Sequence, residues 1–294
     1  YFEKMQNPDQ IADTYMDLHL ELDLNADRLH LSGKGDLVLN DERLPFHLHH
    51  YHKDLGGETV DLQLGTNSSS IAFKASRDSN GITDGSAELF QFNLATYLPF
   101  GPLQVSEPTG TISFRGDPNS FHLFPRLSSF PINTVEFDSL IADIEMQPQG
   151  DLYISKGSMT QDDNRMNYSG TVSTERIDLL GSIDYSDFPF KQKDTQDNRV
   201  TGSIGSDFNI TGTLKEPHFR GTLSSDKLSY NSMLTLTGSG KIDLLYSQGS
   251  MKGEFALQGS EGFLLGDSLK SYKILANMSE AGYFIEDLHL QGSK

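Results

Sequence analysis

Apolar residues recur at every second position along most of this 294-residue chain. One long run has Leu234, Leu236, Gly238, Gly240, Ile242 and Leu244 at its alternate positions. A period of two is typical of a β-strand with one apolar and one polar face, because successive side chains point to opposite sides of a sheet. The pattern returns in about twenty segments separated by short turn sequences. The sequence therefore predicts an all-β fold built as a meander of hairpins.

One segment departs from this alternation. Apolar residues between positions 88 and 100 lie closer to helical spacing, and Pro99 and Gly101 would end a helix there. The most polar stretch, residues 191–199, predicts an exposed loop. The fold that we predict is an extended, curved antiparallel sheet with one short helical insertion.

Composition limits the classes of partner. The formal net charge of −18 argues against nucleic acid and against docking on anionic membranes, since both need a basic surface. The chain has no cysteine, which excludes disulfides, zinc–thiolate sites and a cysteine nucleophile. Hydrophobic residues make up only 36% of the chain, and this share favours a thin, partly open layer over a thick sandwich.

Two segments roughly ninety residues apart resemble each other. In each, a Pro-Phe pair (Pro99 and Pro189 begin them) precedes a polar gap, Gly-containing alternating segments and an acid-Pro turn at Pro118 or Pro217. Such repetition indicates a stack of similar supersecondary units. The organisation that we predict is one continuous β segment of a longer protein over residues 1–294, with sub-repeats at 1–118 and 119–217 and a remainder at 218–294.

Catalytic and metal sites are only weakly indicated. His47 and His49 would share one face of a strand and could hold a metal. No fixed ligand spacing is matched, so a His-rich polar face is the simpler interpretation. Carboxylates are numerous, but nothing in the sequence selects two that face one cleft, and no Gly-x-Ser-x-Gly elbow is present. We therefore expect no enzyme, no catalytic residue and no cofactor.

A hairpin motif carries a family resemblance. The segment 212–223 (GTLKEPHFRGTL) is typical of strand, tight turn and strand, and Pro217 suits the turn because it lacks an N–H donor. Together with 93–100, which precedes a Gly-rich strand pair, this hairpin resembles the TamB/AsmA-like family of bacterial envelope proteins. The resemblance implies a fragment of a long periplasmic protein whose inner-membrane anchor lies outside these residues.

The same resemblance implies an elongated, taco-shaped β-sheet whose concave face is a continuous hydrophobic groove. It further implies phospholipid as a partner, transport towards the outer membrane, and an outer-membrane barrel partner in protein assembly. The physics is compatible with this, because a sheet that is apolar on one face must cover that face at roughly 25 cal/mol per Å².

We therefore predict a non-enzymatic periplasmic conduit that shields phospholipid acyl chains. The residues that we expect to line it are Phe208, Ile210, Leu214, Leu234, Leu236, Ile242, Leu244, Phe255 and Leu257. Two alternatives stay open from the residues alone. A structural or adhesive β module of a surface protein would bury the apolar stripes between two layers. A carbohydrate-active or metal-dependent β enzyme would bring several acids or histidines into one pocket.

Overall fold

The chain folds as one antiparallel β-sheet in a computed structural model, which describes residues 15–25, 28–39, 42–53, 57–92, 107–117, 119–132, 135–173, 175–188, 200–230, 234–247, 250–279 and 282–292. These residues contain eighteen strands and no helix. The strands are β1 (Tyr15–Asn25), β2 (Arg28–Leu39), β3 (Glu42–Lys53), β4 (Gly57–Thr66), β5 (Ser69–Arg77), β6 (Thr83–Phe90), β7 (Thr109–Asp117), β8 (Ser120–Ile132), β9 (Val135–Met146), β10 (Leu152–Gln161), β11 (Asn164–Val172), β12 (Ile177–Phe188), β13 (Val200–Gly212), β14 (Pro217–Tyr230), β15 (Leu234–Ser247), β16 (Ser250–Leu264), β17 (Asp267–Ser279) and β18 (Gly282–Gly292). The predicted all-β, antiparallel class is confirmed.

Each strand pairs with the strand that follows it in the chain, and all seventeen of these pairings are antiparallel. Short turns make this possible, for example the two residues between β4 and β5 or between β16 and β17. Successive turns alternate between two ends of the sheet. We call the end with the turns after odd-numbered strands the odd end, and the other the even end.

The helix predicted over residues 88–100 is wrong where the structure describes it. Residues 88–90 belong to β6, and the chain bends at Gln91, which has a φ of 45°. The three-residue spacing of Leu89 and Phe92 reflects this bend, which lets both side chains become buried. The positions from 93 to 100, and the polar stretch 191–199, lie outside the described residues.

Register keeps the alternating apolar residues on one side of the sheet. One cross-strand row, from β3 to β9, contains Phe46, Leu64, Ile71, Leu89, Gly110, Leu127 and Leu140. A second row, from β13 to β17, contains Phe208, Gly221, Ile242, Phe255 and Ala276. We call this side the apolar face and the opposite side the polar face.

Aromatic rings on the apolar face lie over glycines of neighbouring strands. The ring of Phe208 covers its cross-strand partner Gly181 so closely that a β-carbon there would overlap it. Tyr272 reaches across two strands, over Gly259 and then Gly238. The glycines let large rings lie flat on the sheet, where they cover backbone that would otherwise be exposed.

A line of register shifts crosses the second half of the sheet near its even end. Five of the six pairings from β12 to β18 contain such a shift. The shifts lie between Tyr185 and Phe188, Gly202 and Gly205, Ser225 and Leu228, Thr237 and Ser239, and Leu269 and Ser271. Bulges bend the strands that contain them. A compact cluster of Leu236, Leu257, Leu269 and Tyr272 flanks this line, and its members are 2–8% exposed.

The ring–glycine contacts predict that one added methyl group at such a glycine destabilises the fold. Gly181→Ala should lower the free energy of unfolding by about 1–3 kcal/mol, the usual cost of overpacking. The new methyl would overlap both the Phe208 ring and the Asn167 carbonyl oxygen. Urea unfolding followed by circular dichroism measures this. Gly57→Ala is the matched control, because the nearest atom would lie 3.7 Å from its methyl. Equal losses at both positions would contradict the packing described here.

Candidate functional site: the apolar face

Eight of the nine residues predicted to line a groove lie at paired positions on the apolar face. They are Phe208, Ile210, Leu234, Leu236, Ile242, Leu244, Phe255 and Leu257. The ninth, Leu214, lies in the turn after β13 and is 48% exposed. The alternation in the sequence therefore grouped eight residues that lie on one face of the folded sheet. It also included Leu214, which lies beyond the end of β13.

Burial on this face differs between the two ends of the sheet. Leu236 and Leu257 are buried in the cluster at the line of register shifts. Ile242, Leu244 and Phe255, which lie nearer the odd end, are only half-buried. A second buried cluster, around Leu44, Leu89 and Phe92, also lies at the even end. Both buried clusters therefore lie at the even end, whereas the buried Ile154 and Ile177 of the odd end lie outside them.

The two buried clusters stay separate. One contains residues of β14 to β18, and the other contains residues of β2 to β8 and the bend after β6. In a sandwich, side chains of two opposing layers would interdigitate in one core. Among the described residues no buried cluster joins the first half of the sheet to the second.

Buried polar groups on the apolar face have local structural roles at the even end. The β10–β11 hairpin is shorter there than its neighbours, so its last side chains bond to the backbone of the flanking strands. Gln161 donates its Nε2 hydrogen to the Glu136 carbonyl oxygen at 2.6 Å, and Asn164 accepts the Ser186 N–H at 3.0 Å. These bonds satisfy the Nε2 of Gln161 and the Oδ1 of Asn164, which are buried among apolar side chains.

Three polar atoms of this face are buried without a hydrogen-bond partner among the residues that the structure describes. They are Gln161 Oε1, the Tyr272 hydroxyl and the Ser206 hydroxyl. Desolvation raises the pKa of Tyr272 and of Tyr168, and it raises the pKa of Tyr185 to about 12. All three phenols are on the apolar face, and burial at each of these positions disfavours the charged phenolate.

The histidines separate onto two faces. His47 and His49 are exposed on the polar face, where His30 Nε2 lies 3.4 Å from His49 Nδ1 and the His30 ring stacks on Tyr51 at 4.3 Å between centroids. No group of three or more metal-ligating side chains occurs in the described part of the chain. His50 and His52, in contrast, occupy paired positions of the apolar face, opposite Val60 and Glu58.

Charged groups of the polar face form local pairs. Asp243 receives a hydrogen bond from His218 at 2.5 Å and another from Arg220 at 3.3 Å. The His218 hydrogen bond is the largest of the effects that lower the pKa of Asp243. Two shallow depressions of about 600 and 590 Å³ also lie mainly on this face. In the first, Asp84 lies 3.9 Å from Arg115, so its carboxylate pairs with a cation and not with a second acid.

Comparison with known proteins adds no assignment: no protein-family model, curated protein or solved structure matches this chain. The described residues contain no helix that is long and apolar enough to cross a membrane. The TamB/AsmA-like resemblance therefore stays a prediction that rests on the sequence motifs.

The burial of Tyr185 predicts an alkaline loss of stability. The folded-state pKa of about 12 exceeds the ordinary value of 10, so the unfolded chain releases the phenol proton first. The contribution of this group is therefore complete below pH 10 and declines as the pH rises from 10 to about 12. The slope is at most about 1.4 kcal/mol per pH unit. Urea unfolding of wild type and Tyr185→Phe over this range measures it. The difference between the two proteins should shift with pH above 10, and a constant difference would contradict a dry even end.

Proposed function

We propose that this chain is a segment of a periplasmic conduit that shields phospholipid acyl chains on its apolar face. The observation that carries the proposal is the continuous apolar face of a single sheet, on which positions such as Ile242 and Phe255 are only half-buried. In a soluble sandwich the equivalent positions would be fully buried by an opposing layer. In the proposed conduit, the acyl chains of bound phospholipid cover these positions instead of a second protein layer.

The energetic argument is the cost of exposed apolar surface, about 25 cal/mol per Å². A sheet with one apolar face reduces this cost by bending towards that face and by binding an apolar ligand. The line of register shifts from β12 to β18 favours such bending, because the bulges bend their strands at similar distances from the even end. In this proposal the apolar face lines a concave trough, with the two buried clusters at its even end.

The polar face fits the outside of such a trough. Exposed charged side chains, for example Asp243 and Lys241, alternate with the apolar positions along each strand. A net charge of −18 keeps a long, thin sheet soluble and separated from anionic membrane surfaces. Transport between the inner and outer membranes, an anchor outside this segment and an outer-membrane barrel partner follow from the TamB/AsmA-like resemblance and form part of the same proposal.

The choice of test residues follows from burial. Leu236 is 4% exposed and packs in the even-end cluster, so Leu236→Asp would place a charge in a packed core and destabilise the sheet. Ile242 and Leu244 are half-buried on the same face of β15. A photoreactive amino acid at these two positions can reach a bound ligand without opening the cluster.

Photocrosslinking along β15 should capture phospholipid with a period of two. We expect lipid adducts from probes at Ile242 and Leu244, which lie on the apolar face, and none from Lys241 and Asp243, which lie on the polar face. Mass spectrometry of the purified, irradiated protein from intact bacterial cells identifies the adduct. The two polar-face probes are matched controls in the same strand.

The alternating pattern separates the proposal from its rivals. Adducts at all four positions would indicate non-specific contact with lipid. Protein adducts at Ile242 and Leu244, with no lipid at either, would indicate an opposing protein layer and would support the structural module instead.

A further inference from the structure

The apolar face carries one concentrated group of ionisable side chains. His50 and His52 on β3, Glu58 on β4 and Arg77 on β5 occupy paired positions of this face near the odd end. Across β12 to β16, the paired positions of the same face carry no Asp, Glu, Lys, Arg or His. These side chains, which we call the rim cluster, stay solvated, since His52 and Glu58 keep 43% and 46% of their side-chain surface exposed and Arg77 is exposed. They place both signs of charge at the edge of an otherwise apolar surface.

The cross-strand arrangement leaves a cation available. Glu58 lies between His52 and Arg77 in one row, and its carboxylate is 3.5 Å from His52 Nδ1. Arg77 is exposed and forms no ion pair within the described residues. Its guanidinium extends along the turn, 3.5 Å from where a β-carbon of Gly81 would lie. The donors of Arg77 therefore face solvent at the edge of the apolar face.

We propose that the rim cluster binds the zwitterionic headgroup of a phospholipid whose acyl chains lie along β3 to β5. This inference rests on the proposed function. Arg77 would donate two parallel hydrogen bonds to the phosphate, the geometry that guanidinium groups favour, with His50 and His52 beside it. Glu58 would accept a hydrogen bond from the headgroup ammonium. A group with both signs of charge, in a chain of net charge −18, favours a zwitterionic over an anionic lipid.

The length of the strands fits a lipid tail. From His52 to Leu44 the chain advances eight residues, or about 27 Å at the rise of a β-strand. The hydrocarbon core of a bilayer is about 30 Å thick, so one acyl chain spans about half of that. A tail of about 15 Å that starts at His52 would pass His50 and end near Leu48, so it lies within the length of β3.

The test compares two lipids with identical acyl chains, phosphatidylethanolamine and diacylglycerol, offered together in mixed micelles. Native mass spectrometry gives the ratio in which the protein binds them. We expect wild type to favour phosphatidylethanolamine, and Arg77→Gln to lower that ratio by at least about fivefold while diacylglycerol binding is retained, because a charge-assisted bond is lost. Arg115→Gln is the matched control, since Arg115 is an exposed arginine on the polar face.

The outcomes separate the headgroup site from the groove. If both lipids bind but Arg77→Gln and Arg115→Gln give the wild-type ratio, the rim cluster is not a headgroup site, although the groove stands. If neither lipid binds to wild type, the proposed function fails and this inference fails with it. Excess inorganic phosphate forms a further arm. If inorganic phosphate binds to wild type but not to Arg77→Gln, while wild type shows no preference for phosphatidylethanolamine over diacylglycerol, the cluster binds free phosphate and the headgroup assignment is overturned.

Discussion

The register of the antiparallel hairpins is the constraint on which the rest of this structure depends. Side chains alternate between faces, so a slip of one residue in any pairing would move a whole strand's apolar set to the polar face. Short turns restrict such slips. The ring–glycine contacts restrict them further. Phe208 fits opposite Gly181, whereas a slipped strand would place it against Leu180 or Ser182.

Sequence periodicity was sufficient to predict the class of fold and most of the candidate site, because both depend on alternation alone. β15 runs from Leu234 to Ser247, and its apolar positions face those of β14 and β16 as their parity predicts. Leu214 shows where parity stops being informative. Its turn is closed by hydrogen bonds between Thr213 and Glu216, which remove Leu214 from the strand although the alternation continues through it.

Local chemistry overrode the pattern at the positions that were predicted incorrectly. Gln91 has a left-handed backbone conformation and follows the end of β6. Leu89 and Phe92 lie three positions apart across this bend, and in the sequence that spacing resembles a helix. His50 and His52 share parity with Leu48, but their polarity suggested a polar face, so the rim cluster was missed. The bulges were missed too. An extra residue reverses the parity of the apolar positions, as between Leu223 and Leu228 in β14, and in a sequence this resembles a break between two strands.

The composition that first suggested a thin layer has a physical explanation in this architecture. A sheet whose rings lie over glycines covers its own backbone with few large side chains, which agrees with a 36% hydrophobic content and 27 glycines. A face with few large side chains also suits the proposed conduit. Affinity for an acyl chain grows with the apolar area it covers, at about 25 cal/mol per Å². For the proposed conduit, a deep aliphatic cavity would bind an acyl chain too tightly to release it. In the proposed conduit, half-buried residues such as Ile242, with glycines such as Gly221 and Gly240 beside them, would cover an acyl chain without binding it tightly at one position.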